Sequence, residues 1–203
     1  MSIHLHTNDI PADIDWGDAV AVDSESMGLC LMRDPLCLVQ LSSGNGEAHI
    51  VQLDRNTYDA PNLKALMTDA AVTKYFHFAR FDIAIMKKYL GIDIGPIYCT
   101  RTASKLARTY TDKHGLKHNL KELLNIDLDK QMQSSDWGAE NLSEKQLKYA
   151  ASDVLYLHQL VRALDAMLVR EGRKDLAEQC FAAIPAHAAL DLAGWGHLSL
   201  FDH

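Results

Sequence analysis

Ala19-Val20-Ala21-Val22-Asp23-Ser24-Glu25 decides how this chain is read. Residues 18–24 are predicted to form a strand, and the uncharged run before Asp23 suits a central strand covered on both faces. Side chains alternate along a strand, so Asp23 and Glu25 point to the same side, about 7 Å apart. Two carboxylates there repel each other and lose hydration, which is costly unless cations hold them. The reading therefore turns on whether the remaining sequence supplies more carboxylates.

It does so twice. Lys74-Tyr75-Phe76-His77-Phe78-Ala79 reads as a short strand and residues 80–90 as an amphipathic helix. On that helix Asp82 shares a face with Ile85, Met86 and Tyr89, the face that should turn to the core. Further on, Ser143 and Gln146 form a capping-box pattern that opens a long helix. Leu157, Leu160, Val161, Leu164 and Leu168 mark its buried stripe. Counting back from Leu157 and Leu160 reaches Asp153, and one turn earlier Tyr149, both on the inward side. Each feature alone has an ordinary explanation: a charge at a helix start, a packed tyrosine, an acid paired with a surface lysine. Together, four carboxylates at buried or half-buried positions suit a two-cation site built from oxygen ligands.

Outward from these segments, residues 37–42 and 48–53 read as strands joined by the turn Ser43-Gly44-Asn45-Gly46. With the first strand they make a three-stranded antiparallel meander. A helix over 62–68 follows Pro61, and a short strand lies near 97–99, after which the chain is mainly helical. The fold class is α/β, a mixed sheet flanked by helices. At 203 residues the chain suits one domain with a substantial core. No stretch approaches membrane-spanning length, and the N-terminal residues do not form a signal peptide. Cys30, Cys37, Cys99 and Cys180 are scattered without a Cys-x-x-Cys pair, as expected of a reduced cytoplasmic protein. Net charge is −7, from 20 basic and 27 acidic residues. Proteins that track long nucleic acids are usually basic, so this balance favours a short substrate held in one pocket.

Asp23-x-Glu25, Phe81-Asp82 and Tyr149-x-x-x-Asp153 resemble the three exonuclease motifs of the DEDD superfamily, in its tyrosine subtype. The wider resemblance is to ribonuclease D-like enzymes, and within them to the small stand-alone nano-RNase C type. It runs through nearly the whole chain, including Ala103-Ser104-Lys105-Leu106, Arg108-Thr109-Tyr110-Thr111-Asp112, His114-Gly115-Leu116-Lys117, Gln133-Ser134-Ser135-Asp136-Trp137 and Tyr149 to Leu157. The resemblance implies the ribonuclease H-like fold and a single exonuclease domain over 1–203, without the further helical domains of larger ribonuclease D enzymes. It implies Asp23, Glu25, Asp82 and Asp153 as ligands of two divalent cations, Mg²⁺ or Mn²⁺, with Asp23 bridging. Tyr149 would orient the attacking water first and accept its proton second, since an ordinary tyrosine pKa near 10 makes a poor base.

The expected substrate-binding set is Met27, Gly28, Leu29, His77, Arg108, Lys113 and His114. Leu29 is either a wedge between the last two bases, as in similar exonucleases, or an ordinary core leucine. Gly28 would let the chain turn close to substrate. Residues 100–121 are locally basic, and Arg108, Lys113 and His114 are the candidates for gripping a terminal 5′ phosphate; a solvated face is the plainer explanation of the run. Trp137 either packs or stacks on a base, with packing favoured. The apolar segment Leu190–Trp195 either caps the core or serves an interface.

The resemblance implies a 3′→5′ exoribonuclease of very short RNA, especially dinucleotides, acting as a homo-octamer. The alternatives are an exonuclease on longer RNA or on DNA, and a non-catalytic nucleic-acid-binding module.

Overall fold

The structure, a computed structural model, describes residues 2–128, 132 and 134–198. Gln133 of the quoted Gln-Ser-Ser-Asp-Trp motif lies outside them. Six strands form one mixed sheet in the order β1-β4-β3-β2-β5-β6. They are β1 (Ser2–Thr7), β2 (Ala19–Ser26), β3 (Leu36–Ser42), β4 (Glu47–Gln52), β5 (Thr73–Phe76) and β6 (Ile97–Cys99). The meander β2-β3-β4 is antiparallel as the turn residues predict, while β1, β5 and β6 add parallel pairings. The helices are α1 (Pro61–Thr68), α2 (Ala79–Leu90), α3 (Thr100–Ala107), α4 (Leu116–Leu124), α5 (Glu144–Leu155), α6 (Leu157–Arg170) and α7 (Lys174–Leu192).

Burial follows composition. Every residue of β3 is buried, as befits an apolar strand between two layers, whereas β1 is an exposed edge. That edge strand is not read from the sequence, although Ser-Ile-His-Leu-His-Thr alternates, with Ser2, His4 and His6 on one side and Ile3 and Leu5 on the other. α5 packs on β2, β3 and β4, and α2 packs mainly on α7. α5 opens with the predicted capping box: Gln146 N–H donates to Ser143 Oγ at 3.3 Å, and Ser143 N–H to Gln146 Oε1 at 3.0 Å. Such a cap stabilises a helix by about 1 kcal/mol.

The one long helix expected from Ser143 through Leu168 is two. The backbone leaves the helical path at Tyr156 (φ −107°, ψ −1°). The break lets the two stripes face different partners: α5 lies on the sheet, and α6 packs on α3, α4 and α7. Tyr149 and Asp153 both fall within α5, so their shared face survives.

Two details position the site. β2 pairs with β5 only over Ala19, Val20 and Ala21. Beyond that point the β5 chain turns away through Phe78, which holds a left-handed φ of 74° at the start of α2. A bulky residue rarely adopts that conformation, and the cost is tolerated mainly where the chain must be aimed. From the other end of the chain, Asp191 of α7 forms a two-pronged salt bridge with Arg80 (2.6 and 2.7 Å), which also donates to Gly196 O. The C-terminal segment thus holds the first turn of α2.

Candidate active site

β2 carries Asp23 and Glu25 toward α5, and α5 returns Asp153. A carboxylate oxygen from each of the three lies within 4.8 Å of the other two. Asp82 arrives from the opposite layer. Ser24 alternates with its acidic neighbours and so faces the other way, and its hydroxyl donates to Asp82 Oδ1 at 2.5 Å. The short β5 leaves room for this approach. Tyr149 stands one helical turn before Asp153, its ring 5.9 Å from that of buried Trp137.

Electrostatics records the crowding. Burial, then the charges of Asp82, Asp153 and Glu25, push Asp23 well above the usual carboxylate range. Burial, Asp153 and Asp82 push Glu25 up to about 9. Asp82 rises to about 7, chiefly through burial, although the hydrogen bond from Ser24 opposes the rise. Burial and the carboxylates of Asp153, Glu25 and Asp23 raise the Tyr149 phenol, so it stays protonated at neutral pH. An oxygen-only donor set whose members repel one another fits hard divalent cations such as Mg²⁺ or Mn²⁺; zinc more often takes histidine or cysteine.

These groups floor a cavity of about 750 Å³. Met27, Gly28, Leu29 and His77 line it. Leu29 is 86 % exposed at the rim, which removes its reading as a core leucine. Gly28 has a different reason from the one the sequence suggested: a Cβ there would meet Asp34 Oδ2 at 2.3 Å, a clash within the protein. The His77 ring bonds Thr100 Oγ1 at 2.8 Å, and since Thr100 gives its proton to Phe76 O, His77 Nδ1 is the donor. Trp137 is buried, as the packing reading had it, although it also borders the cavity.

The expected phosphate grip is corrected. Arg108 is fully buried, and its guanidinium serves Ser104, Asn119, Lys113 O and Glu122 within the protein. It caps the C-terminal end of α3, one turn beyond buried Ser104 and on the same inward side. Lys113 and His114 also lie outside the cavity lining, and His114 pairs with Ser104 at 2.9 Å. The basic side chains that do line it are Arg101 and Lys117. Sequence reasoning saw both as part of a basic patch but not as site residues. It also missed Phe78, half exposed at the cavity with Arg101 stacked on its ring at 4.7 Å, and Ser24, for which alternation gives no signal.

Fold and carboxylate cluster together define a nuclease of the exonuclease kind, and the comparison agrees: residues 7–169 match the 3′-5′ exonuclease family, and the chain belongs to it. More particularly, it is similar to Brucella melitensis NrnC. The structure of that protein bound to pGG shares 50% sequence identity, covers 100% of this chain and 99% of that one, and superimposes with a TM-score of 0.97. A structure of Brucella melitensis NrnC with bound Mg²⁺ shares 48% identity with a TM-score of 0.96, covering each chain fully. Ribonuclease D of Acidiphilium cryptum is 37% identical over 171 residues, 84% of this chain and 43% of that protein. The chain thus spans less than half the length of the ribonuclease D relatives it matches.

Proposed function

We propose that the protein is a metal-dependent 3′→5′ exoribonuclease that cleaves very short RNA, dinucleotides above all, into mononucleotides. The observation that carries this is the meeting of Asp23, Glu25 and Asp153 oxygens, with Asp82 beside them, on the floor of one confined cavity. The likeness to a protein seen with pGG along its whole length supports a short ligand over a long strand. So does the acidic balance of the chain, which disfavours tracking a polyanion.

Asp23, Glu25, Asp82 and Asp153 would hold two divalent cations, Mg²⁺ or Mn²⁺. When bound, those ions supply Lewis-acid stabilisation of the charge that builds on the scissile phosphate. Tyr149, kept neutral by burial and by its acidic neighbours, is a hydrogen-bonding group that orients the attacking water. The water oxygen bonds to phosphorus, the P–O3′ bond breaks, and the departing O3′ takes up a proton. Leu29 at the rim parts the two bases. Arg101 and Lys117 meet the 5′ phosphate and set the accepted length from the carboxylate floor. A homo-octamer in the cytoplasm completes the reading; among the described residues no helix is long and apolar enough to cross a membrane.

The test is a length series: RNAs of two, three and seven nucleotides, with a DNA duplex alongside, in Mn²⁺ and in chelator. The dinucleotide should be cleaved fastest, and chelator should stop all cleavage. Equal rates across the series would replace the dinucleotide reading with a general exonuclease, and metal-independent cleavage would remove the proposed chemistry.

A further inference from the structure

On the face of the sheet opposite Asp23 and Glu25, the one from which Asp82 also approaches, strands β1 and β4 bring three histidines and a glutamate together. His4 stands opposite His49 in the parallel ladder, Ser2 opposite Glu47, and His6 two residues beyond His4. One donor atom from each of His4, Glu47 and His49 lies within 4.8 Å of the other two. His4 Nε2 is 3.8 Å from Glu47 Oε1, and the His4 and His49 rings stack at 4.9 Å. We propose that His4, Glu47 and His49 form a second metal site, for a transition-metal dication of the zinc type.

Donor chemistry separates it from the carboxylate centre. Two imidazoles and one carboxylate suit zinc-like ions, whereas the catalytic set offers oxygen alone. Two of the three donors also have a partner that orients them, as metal ligands usually do. His6 Nε2 meets His49 Nδ1 at 3.0 Å, leaving the far nitrogen of His49 to the ion. Asn45 Nδ2 donates to Glu47 Oε2 at 3.1 Å, leaving Oε1 toward His4. The Trp16 ring edges against His49 and limits its swing. Burial, with His4 and then His6 close by, lowers the pKa of His49, which keeps its ring neutral and able to ligate. Side chains of His4 and Glu47 are 44% and 43% exposed, so an ion enters from solvent.

The two sites do not share ligands. Asp23 registers with Gln40 and Gln40 with Ile50, so Ile50 lies on the face of Asp23 and His49 on the opposite one. The histidines are also two to three strands away from β2, roughly 10–14 Å. Three protein ligands leave positions for water. An ion there ties the exposed edge strand β1 to β4.

The experiment uses the untagged full-length chain with Mg²⁺ saturating. Metal analysis after equilibrium dialysis against Zn²⁺ should find one Zn²⁺ per chain. Co²⁺ in its place should give the strong visible bands of four-coordinate cobalt, and Zn²⁺ should raise Tm by about 5 °C. His4→Gln and Glu47→Gln, both at accessible positions, should each lose the ion and the shift. Asp153→Asn should keep both. The inference fails if wild type binds no Zn²⁺ under Mg²⁺. It fails equally if His4→Gln binds as much as wild type, or if Asp153→Asn alone abolishes binding, since the ion would then sit in the carboxylate centre.

Discussion

Neutralising one acid of the catalytic cluster should strengthen the metal-free fold. Glu25 titrates near 9 in the folded chain against an ordinary 4.5. Its folded-state pKa is the higher, so its contribution is complete below pH 4.5 and is lost as pH climbs to 9. Over that window the unfolded chain releases a proton that the folded chain keeps, which lowers stability by about 1.36 kcal/mol per pH unit. By pH 7 the loss reaches about 3 kcal/mol, an upper bound because Asp153 and Asp82 share the repulsion. Glu25→Gln removes it. In chelator at pH 7 the variant should melt above wild type by up to about 6–12 °C, at about 2–4 °C per kcal/mol for a chain of this size. At pH 4.5 the two should nearly coincide, and Mn²⁺ should raise wild type more than the variant. Thermal melts by circular dichroism at pH 4.5, 7 and 9, with chelator and with Mn²⁺, provide the readout. A variant that melts below wild type at pH 9 in chelator, or runs parallel to it at every pH, would refute the claim that these carboxylates strain the metal-free fold.

Asp153→Asn should lower kcat/KM on a dinucleotide by at least about 100-fold while leaving the far-ultraviolet spectrum unchanged, as fits a group that binds the ions. Tyr149→Phe keeps the ring packing on Trp137 and should reduce kcat about 10- to 100-fold with KM nearly constant, in steady-state assays. Leu29→Ala, at an exposed rim position, should shift stability by no more than about 0.5 kcal/mol yet raise KM for the dinucleotide. Arg108→Ala leaves Ser104, Asn119 and the Lys113 carbonyl short of a buried partner and should cost about 3 kcal/mol in urea denaturation. Arg101→Ala should be nearly neutral in the same titration and weaken the binding of 5′-phosphorylated dinucleotides.

The meeting of the carboxylates was legible because two simple periods place them. Alternation sets Asp23 beside Glu25 on β2, and the four-residue repeat sets Tyr149 above Asp153 on α5. A break at Tyr156 could not disturb that pair, since both precede it. Asp82 was legible as an acid on an inward face, but not its route through the space that β5 leaves, because strand length relative to a neighbour is a property of pairing. Arg108 was misread because a basic run does not say which of its members point inward. Ala103, Ser104 and Ala107, small residues on one side of α3, mark that inward face and were the available signal. β1 carries a two-residue alternation, but over only six residues with two apolar members, too little to set it apart from a polar leader. Its pairing with β4 depends on backbone hydrogen bonds to a strand some forty residues away, as Leu5 opposite Ile50 illustrates.

Asp82 and Asp153 come from opposite sides of the sheet, and the helix bearing Asp82 is itself clasped by α7 through Arg80 and Asp191. A half-folded chain, or one still being synthesised, therefore holds some of the acids but not their meeting point. The carboxylate cluster is thus a property of the assembled layers and not of any one segment of the chain.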